Sequence, residues 1–271
     1  MARTAEGRAL TEAHRVEQLA IAARAAAAAS LLWDQLDPNR LDATTPAWMA
    51  RNMQVLQRQY TASVRAAQAY VPAYRSAELG SSAGRVIAPV FDRAEMSSAL
   101  LLAGPVRIKL LTRGGAAGAG AHGAALTKYT GIMRRQVLSG GRMLIDQTTG
   151  ADNQAIGWRR VSDGNPCTFC AMLCSRGPVY RSAGKAGTDG GGLLDNKSGL
   201  RFHGHCGCTA EIVYGEWKPN EAEQRYVDEY TKAARQADAA GEPRTEKTVL
   251  YRMRDNGVFR DSPLSRNTKT A

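Results

Sequence analysis

Apolar residues recur every three or four positions through the first part of the chain, which is the period of an amphipathic helix. The first such segment covers residues 5–36 and ends at an Asp-Pro-Asn sequence. A second begins at Thr45-Pro46, where threonine suits the cap and proline the first turn, and continues to about residue 74. The pattern therefore predicts two long antiparallel helices, followed by a shorter helix over residues 91–102.

A glycine-rich stretch at residues 114–123 interrupts this pattern. Residues 118–123 match G-x-G-x-x-G, and the apolar run 106–111 before them and the helical pattern after them are the context of a dinucleotide-binding turn. The upstream sequence predicts helices rather than alternating strands and helices, however, and glycine-alanine runs produce this motif by chance. A flexible linker or hinge is the favoured interpretation.

The second half of the chain has a different pattern. A helix is predicted over residues 124–138 and an alternating strand over residues 154–161. Residues 162–210 are rich in Cys, Gly, His, Asp and Asn, and short apolar pieces at 177–180 and 210–214 predict short strands. These features indicate a small domain that is built largely from loops.

The composition favours a mostly helical α+β fold. Aromatic residues make up only 6% of the chain, so alanine and leucine supply most of the buried surface, and these residues favour helices packed on helices. We expect a helical N-terminal region followed by a small zinc-knuckle-like α+β domain with short strands. The predicted parts are a basic alanine-rich helical region (1–112), a Gly-rich linker (113–123), a Cys/His domain (124–217, motif core 156–214) and a charged tail (218–271) with a helix near 222–239 and a disordered end from about residue 261.

Positive charge is concentrated in the first part of the chain. Residues 1–160 contain 20 Lys/Arg and 11 Asp/Glu, a net charge of +9 out of the total of +11. Such an excess favours contact with a polyanion such as DNA or with an acidic protein surface. The most apolar stretch, residues 19–33, contains Arg24 and is shorter than the roughly 20 apolar residues that a bilayer requires, so no membrane contact is expected.

All five cysteines lie within 42 residues, from Cys167 to Cys208. An odd number in so short a window favours metal ligation in a reducing cytosol over a disulfide framework. Cys167 and Cys170 form a C-x-x-C pair, and His203, Cys206 and Cys208 form a second group that a Gly-rich loop at 187–192 could bring close. Two such groups suit a tetrahedral structural zinc ion, with Cys167, Cys170, His203 and Cys206 as the favoured ligands and Cys208 as the alternate.

Four other interpretations compete for these residues. The cysteines could be reduced core residues, or C-x-x-C could belong to a zinc deaminase or a thioredoxin-type pair. No histidine has a glutamate two positions later, as a deaminase requires, and the strand and helix alternation of thioredoxin is missing. A nucleophilic dyad of Cys174 or Cys208 with His205 is chemically possible, since an adjacent imidazole activates a thiolate.

Residues 158–173, 177–180 and 202–209 together resemble the head-morphogenesis domain of tailed bacteriophages, the MuF-like minor capsid family. The shared pattern is an Arg and an Asp before C-x-x-C, then H-x-x-C-x-C near a terminal strand, and it covers about residues 156–214. The resemblance implies an internal minor head protein at the portal, present in few copies and active in assembly or DNA delivery. Its location would be the virion interior, and the host cytoplasm during assembly.

The resemblance also implies the partners. They are the portal protein, together with scaffold or major capsid protein, and DNA through the basic N-terminal region. Members from phages of actinobacteria are often described as capsid maturation proteases, and such a procapsid protease, with Cys174 and His205 as its catalytic pair, is the second hypothesis. The chain has no H-E-x-x-H motif and no unambiguous Ser/His pairing, which favours a structural role over catalysis.

Overall fold

The computed structural model describes residues 2–179 and 202–261. It contains eight helices and two strands within these residues, in agreement with the predicted α+β class. The helices are α1 (Ala5–Leu31), α2 (Leu41–Leu79), α3 (Arg93–Ala103), α4 (Pro105–Arg113), α5 (Gly118–Ala151), α6 (Thr168–Cys174), α7 (Glu221–Ala239) and α8 (Glu246–Asp255), and the strands are β1 (Gly157–Val161) and β2 (Thr209–Val213).

Helices α1, α2 and α5 pack on one another and form the helical body. Small residues at helical spacing on α1 are fully buried, which permits close packing. An aromatic cluster fills the end of the body, where the ring centroids of Trp33, Trp48 and Tyr129 lie 5.0–5.9 Å apart. Trp33, Trp48 and Trp158 are all buried in the core.

Helix α5 approaches the other helices most closely at two glycines. A Cβ on Gly140 would lie 2.9 Å from Val64 Cγ2 and 3.0 Å from the Tyr60 carbonyl oxygen of α2. The Gly141 N–H donates to Ser63 Oγ at 3.0 Å, and Ser63 in turn donates to Gln18 of α1. Glycine at these positions therefore allows the three helices to meet at one point.

The predicted linker at residues 113–123 is wrong over most of its length. Arg113 ends α4, and the helix α5 already begins at Gly118, so only a short turn separates them. Trp33 Nε1–H donates to His122 Nδ1 at 3.2 Å, and His122 Nε2 lies 3.1 Å from the Leu36 carbonyl oxygen. These bonds attach the glycine-rich start of α5 to the segment that follows α1, and they override the low helix propensity of glycine.

Several other predicted bounds shift. Helix α1 ends at Leu31, because a short 3-10 turn at Trp33–Gln35 follows it, and the apolar run 106–111 is part of α4. Residues 177–179 form no strand, contrary to the prediction. Three predicted features lie outside the described residues: the end of that strand at Tyr180, the loop 187–192 and residues 262–271 of the disordered end.

The two strands pair antiparallel and position the C-terminal part of the chain. Arg159 lies opposite Glu211 in the register, and Arg160 lies opposite Ala210. Helix α5 packs against both strands, and α6 packs against β1 and both C-terminal helices. None of the described helices is long and apolar enough to cross a membrane.

Candidate metal centre

Two chain segments bring the cysteines and His203 together. Cys167 is the N-cap of α6, where its sulfur accepts the Cys170 N–H at 3.4 Å, so C-x-x-C forms a tight turn with both sulfurs on one side. The second segment, residues 202–208, leads directly into β2. Because β2 pairs with β1, the sheet holds this segment beside α6.

The structure brings the predicted ligands together in part, since no group of ligand atoms within 4.8 Å of one another contains Cys167, Cys170, His203 and Cys206 together. Cys167 Sγ lies 2.8 Å and Cys170 Sγ 3.8 Å from His203 Nε2, and the Cys170 and Cys206 sulfurs are 3.4 Å apart. Ligand atoms form two overlapping groups, each with all members within 4.8 Å. One contains Cys167, Cys170 and His203, and the other contains Cys170, Cys206 and Cys208.

These clusters could hold a metal ion. Cys170 belongs to both groups. The four cysteines of the two groups are all buried: Cys167, Cys170, Cys206 and Cys208. His203 Nδ1 lies 3.0 Å from the Gly204 carbonyl oxygen, to which it can donate. Such a bond leaves the Nε2 lone pair directed at the sulfurs, as in metal-ligating histidines.

The electrostatics favour a thiolate at Cys167 and Cys206. A hydrogen bond with Cys170, together with His203, lowers the pKa of Cys167 to about 5. The hydrogen bond with Cys167 raises the pKa of His203 to about 9. A hydrogen bond with Cys170 also lowers the pKa of Cys206. Hydrogen bonds with Cys167, Cys206 and Cys208 raise the pKa of Cys170 well above its usual value. For Cys208, the lowering by the hydrogen bond with Cys170 is outweighed by the hydrogen bonds with Cys174 and Cys206, which raise its pKa as well. Thiolate is the form of cysteine that binds soft and borderline metals.

Two buried arginines surround the second segment. The guanidinium carbons of Arg142 and Arg160 lie 3.7 and 3.6 Å from the centroid of the Phe202 ring. Arg142 donates to the carbonyl oxygens of Cys208 at 3.1 Å and Cys206 at 2.9 Å. Arg160 Nη1 lies 3.7 Å from the sulfur of Cys170 and 3.9 Å from that of Cys206. Burial lowers the pKa of Arg142 to about 10.

The alternative catalytic residues have other contacts. Cys174 is buried on α6, whereas His205 is exposed, and His205 Nε2 lies 2.9 Å from the Thr127 carbonyl oxygen. The His205 ring also packs against Gly131 of α5. The backbone of His205 itself is left-handed, with a φ of 62°. Within the described residues no hydrogen bond joins Cys174 to His205.

Sequence reasoning missed the role of the arginines. A pair of adjacent arginines usually lies on an exposed basic surface, but the side chains of Arg159 and Arg160 are buried, and Arg135 of the pair Arg134-Arg135 is buried as well. Arg142 was not singled out. The apolar neighbours of these arginines in the sequence could have indicated that they are buried. An arginine within the pattern of a buried strand or helix requires a partner in the core.

Comparison with known proteins agrees with the phage resemblance at a coarser level. A family model described as VG15 protein matches residues 6–235 of the 271-residue chain. The chain belongs to the VG15 protein family. A relative described as Gene 15 protein, from Mycobacterium phage D29, is 37% identical over 102 residues.

That alignment covers 36% of this chain and 35% of the relative, so the chain matches about a third of that protein's length. No solved structure gives a significant match to the chain. The family assignment and the relative place the chain among bacteriophage proteins, and the family match includes both the helical body and the cysteine segments.

Proposed function

We propose that this chain is a minor capsid protein of a tailed bacteriophage that acts in head morphogenesis at the portal, inside the capsid. The family assignment and the mycobacteriophage relative support the phage context. The observation that carries the finer proposal is the contact between the C-x-x-C and H-x-x-C-x-C groups, which is the part of the chain that resembles MuF-like proteins. Assembly would take place in the host cytoplasm.

The proposed cofactor is one structural zinc ion. Its ligands would be Cys167, Cys170, His203 and Cys206, with Cys208 as the alternate, because Cys208 shares a group with Cys170 and Cys206. Three thiolates and an imidazole are a typical donor set for structural zinc. Bound zinc would fasten α6 to the segment before β2, two elements that are distant in sequence.

The proposed partners are the portal protein, with scaffold or major capsid protein, and DNA through the N-terminal region. Helix α2 offers the best-placed cations, since Arg51, Arg58 and Arg65 are exposed and seven residues apart. That spacing places them on one face, at intervals of about 10 Å. No acidic residue occurs between positions 43 and 77, so this part of α2 contributes no negative charge to the face, which we call the α2 arginine face.

A complementation experiment tests the role in assembly. In a tailed phage whose copy of this gene is deleted, the wild-type chain should restore infectious particles and should co-purify with the portal from isolated heads. Cys206→Ser, which removes a ligand, should fail to restore them, whereas Cys174→Ser should succeed. Wild-type chain that is absent from purified heads would contradict the proposal.

A capsid maturation protease is the second candidate, and one contact favours it. Cys167 Sγ lies 2.8 Å from His203 Nε2, the arrangement of an activated thiol. These two residues are also the proposed zinc ligands, and a metal-bound thiolate is not available as a nucleophile. Co-expression with the major capsid or scaffold protein distinguishes the roles, since cleavage abolished by Cys167→Ser in metal-free protein would favour the protease.

Serine-type motifs give this candidate less support. Residues 80–84 match G-x-S-x-G, but they follow helix α2, whereas the nucleophile elbow of hydrolases joins a strand to a helix. Ser182 and Lys185 match S-x-x-K and lie outside the described residues.

A further inference from the structure

The strongest unexplained feature beside the cysteines is a pair of buried cations around one aromatic ring. Arg142 on α5 and Arg160 on β1 are 3% and 2% exposed, and both guanidinium carbons lie less than 4 Å from the Phe202 centroid. Two groups at this distance from one ring must occupy its opposite faces. Two positive charges are therefore held in the core, separated by the thickness of a phenyl ring.

Such an arrangement requires negative charge nearby. Removing a cation from water is unfavourable, and two neighbouring cations repel each other, so buried arginines occur with anionic partners. No carboxylate lies within ion-pair distance of Arg142 among the described residues; its donors reach the carbonyl oxygens of Cys206 and Cys208. Arg160 faces the sulfurs of Cys170 and Cys206. The sulfurs beside Arg160 can carry the balancing charge when they are thiolates.

A thiolate metal centre supplies that charge. Three thiolates and a neutral imidazole around a divalent ion have a net charge of −1, and a fourth thiolate in place of the imidazole makes it −2. Neutral thiols or a disulfide would leave the Arg142 guanidinium without a carboxylate or thiolate counter-ion among the described residues. A metal bound by carboxylates, in contrast, has no donors here, since the two groups of ligand atoms contain only cysteine and histidine.

We propose that Arg142 and Arg160 are the counter-charges of a thiolate-rich metal centre and that their charge raises its affinity for zinc. This inference rests on the zinc site proposed above. Phe202 separates the two guanidinium groups and, as the residue directly before His203, ties them to the ligand segment. Neither arginine is a ligand; both are positioning residues that act through the sulfurs.

The test separates charge from hydrogen bonding at one position. Arg142→Gln removes the charge but keeps an amide N–H donor, whereas Arg142→Lys keeps the charge. Zinc affinity of the full chain is measured by competition with a chromophoric chelator. We expect Arg142→Gln to raise the zinc dissociation constant about 10–100-fold, the usual effect of changing a group that supports metal ligands, and Arg142→Lys to raise it less.

A second readout shows whether the ligands themselves change. The absorption spectrum of the Co²⁺-substituted chain reports the number of bound thiolates, and it should be the same in the wild type and both variants. Arg75→Gln is the matched control: Arg75 is a buried arginine whose carboxylate partner is Asp152, so its loss should lower stability and leave zinc affinity unchanged.

The outcomes are distinct. Equal weakening by Gln and Lys, or greater weakening by Lys, would overturn the counter-charge role and leave the zinc site in place. A wild-type chain that binds no zinc would overturn the site itself. If Arg142→Gln does not fold, the lysine variants of Arg142 and Arg160 decide: stoichiometric zinc with the wild-type Co²⁺ spectrum supports the proposal, and its loss contradicts it.

Discussion

Arg159 and Arg160, adjacent on β1, have partners of different chemistry on opposite sides of the sheet. Arg159 donates to Glu211 at 2.6 Å and to Glu223, whereas Arg160 lies beside the sulfurs of Cys170 and Cys206. Successive side chains of a strand point to opposite faces, so one dipeptide serves both a carboxylate network and the candidate metal centre. The network continues from Glu211 to Thr11 of α1 at 2.7 Å.

The carboxylate network should make a large contribution to stability. Arg159→Met leaves Glu211 and Glu223 buried without their cation, and breaking a buried pair in this way costs about 3–5 kcal/mol of the free energy of unfolding. Urea denaturation measures the loss. Arg244→Met, which breaks an exposed pair with Asp238, is the control and should have no measurable effect. Similar losses in the two variants would contradict the importance of the buried network.

The candidate metal centre should bind about one zinc ion per chain. Elemental analysis of the purified wild type should show it, and Cys206→Ser should lose both the metal and the protease resistance of residues 156–179 and 202–214. Cys174→Ser should retain both, because Cys174 is a buried cysteine of α6 outside both groups of ligand atoms. Metal-free wild-type protein that resists proteolysis in this region would refute the structural zinc.

Two alanine substitutions on α5 should have opposite effects. Gly140→Ala brings a methyl group within 3.0 Å of α2, and such overpacking costs about 1–3 kcal/mol. Gly123→Ala meets no atom within 4 Å and should stabilise the chain by up to about 1 kcal/mol, because alanine favours helix. Thermal unfolding of both variants measures the difference. If Gly140→Ala is also stabilising, the close approach of the helices is not as described.

His14 should make stability depend on pH. Its ring is stacked on Tyr70, neither ring nitrogen has a hydrogen-bond partner among the described residues, and burial lowers its pKa from 6.5 to about 4. Between these values the unfolded chain binds a proton that the folded chain excludes. The free energy of unfolding should therefore fall as the pH decreases from about 6.5 to about 4, by about 3 kcal/mol in total.

The variant His14→Phe isolates this contribution, since acid also releases zinc from cysteine and histidine ligands. Urea denaturation across this pH range should show a smaller loss of stability in the variant than in the wild type. Identical pH profiles would mean that His14 is protonated without cost in the folded chain.

The α2 arginine face should bind DNA in a salt-dependent manner. Each neutralised phosphate contributes about 0.9 to the slope of log affinity against log salt, so replacing Arg58 and Arg65 by Gln should reduce that slope by about 2. Fluorescence anisotropy with a duplex DNA measures it. The control is Arg225→Gln with Arg244→Gln in the C-terminal part. Binding that does not depend on salt, or that the control pair weakens equally, would contradict this placement.

The sequence by itself determined the helical pattern of the first half and the ligand candidates. Helical periodicity is a local property, so α1, α2 and the strands near 157 and 210 could be predicted to within a few residues. The C-x-x-C and H-x-x-C-x-C spacings are also local, and they identified residues that the fold brings into contact. Because thiolate and imidazole are soft or borderline ligands, these cysteines and His203 are suited to soft or borderline metal ions such as zinc.

Only the tertiary structure decided which polar residues are buried and which glycines are helical. The glycine-rich composition of residues 118–123 predicts a linker. Contacts of His122 with Trp33 and Leu36 stabilise these residues as the start of a helix. Arginine usually lies at the surface, yet Arg142 and Arg160 enter the core because Phe202 and the cysteine segment arrive there from far along the chain. Burial and charge compensation depend on these long-range contacts, which no local pattern contains.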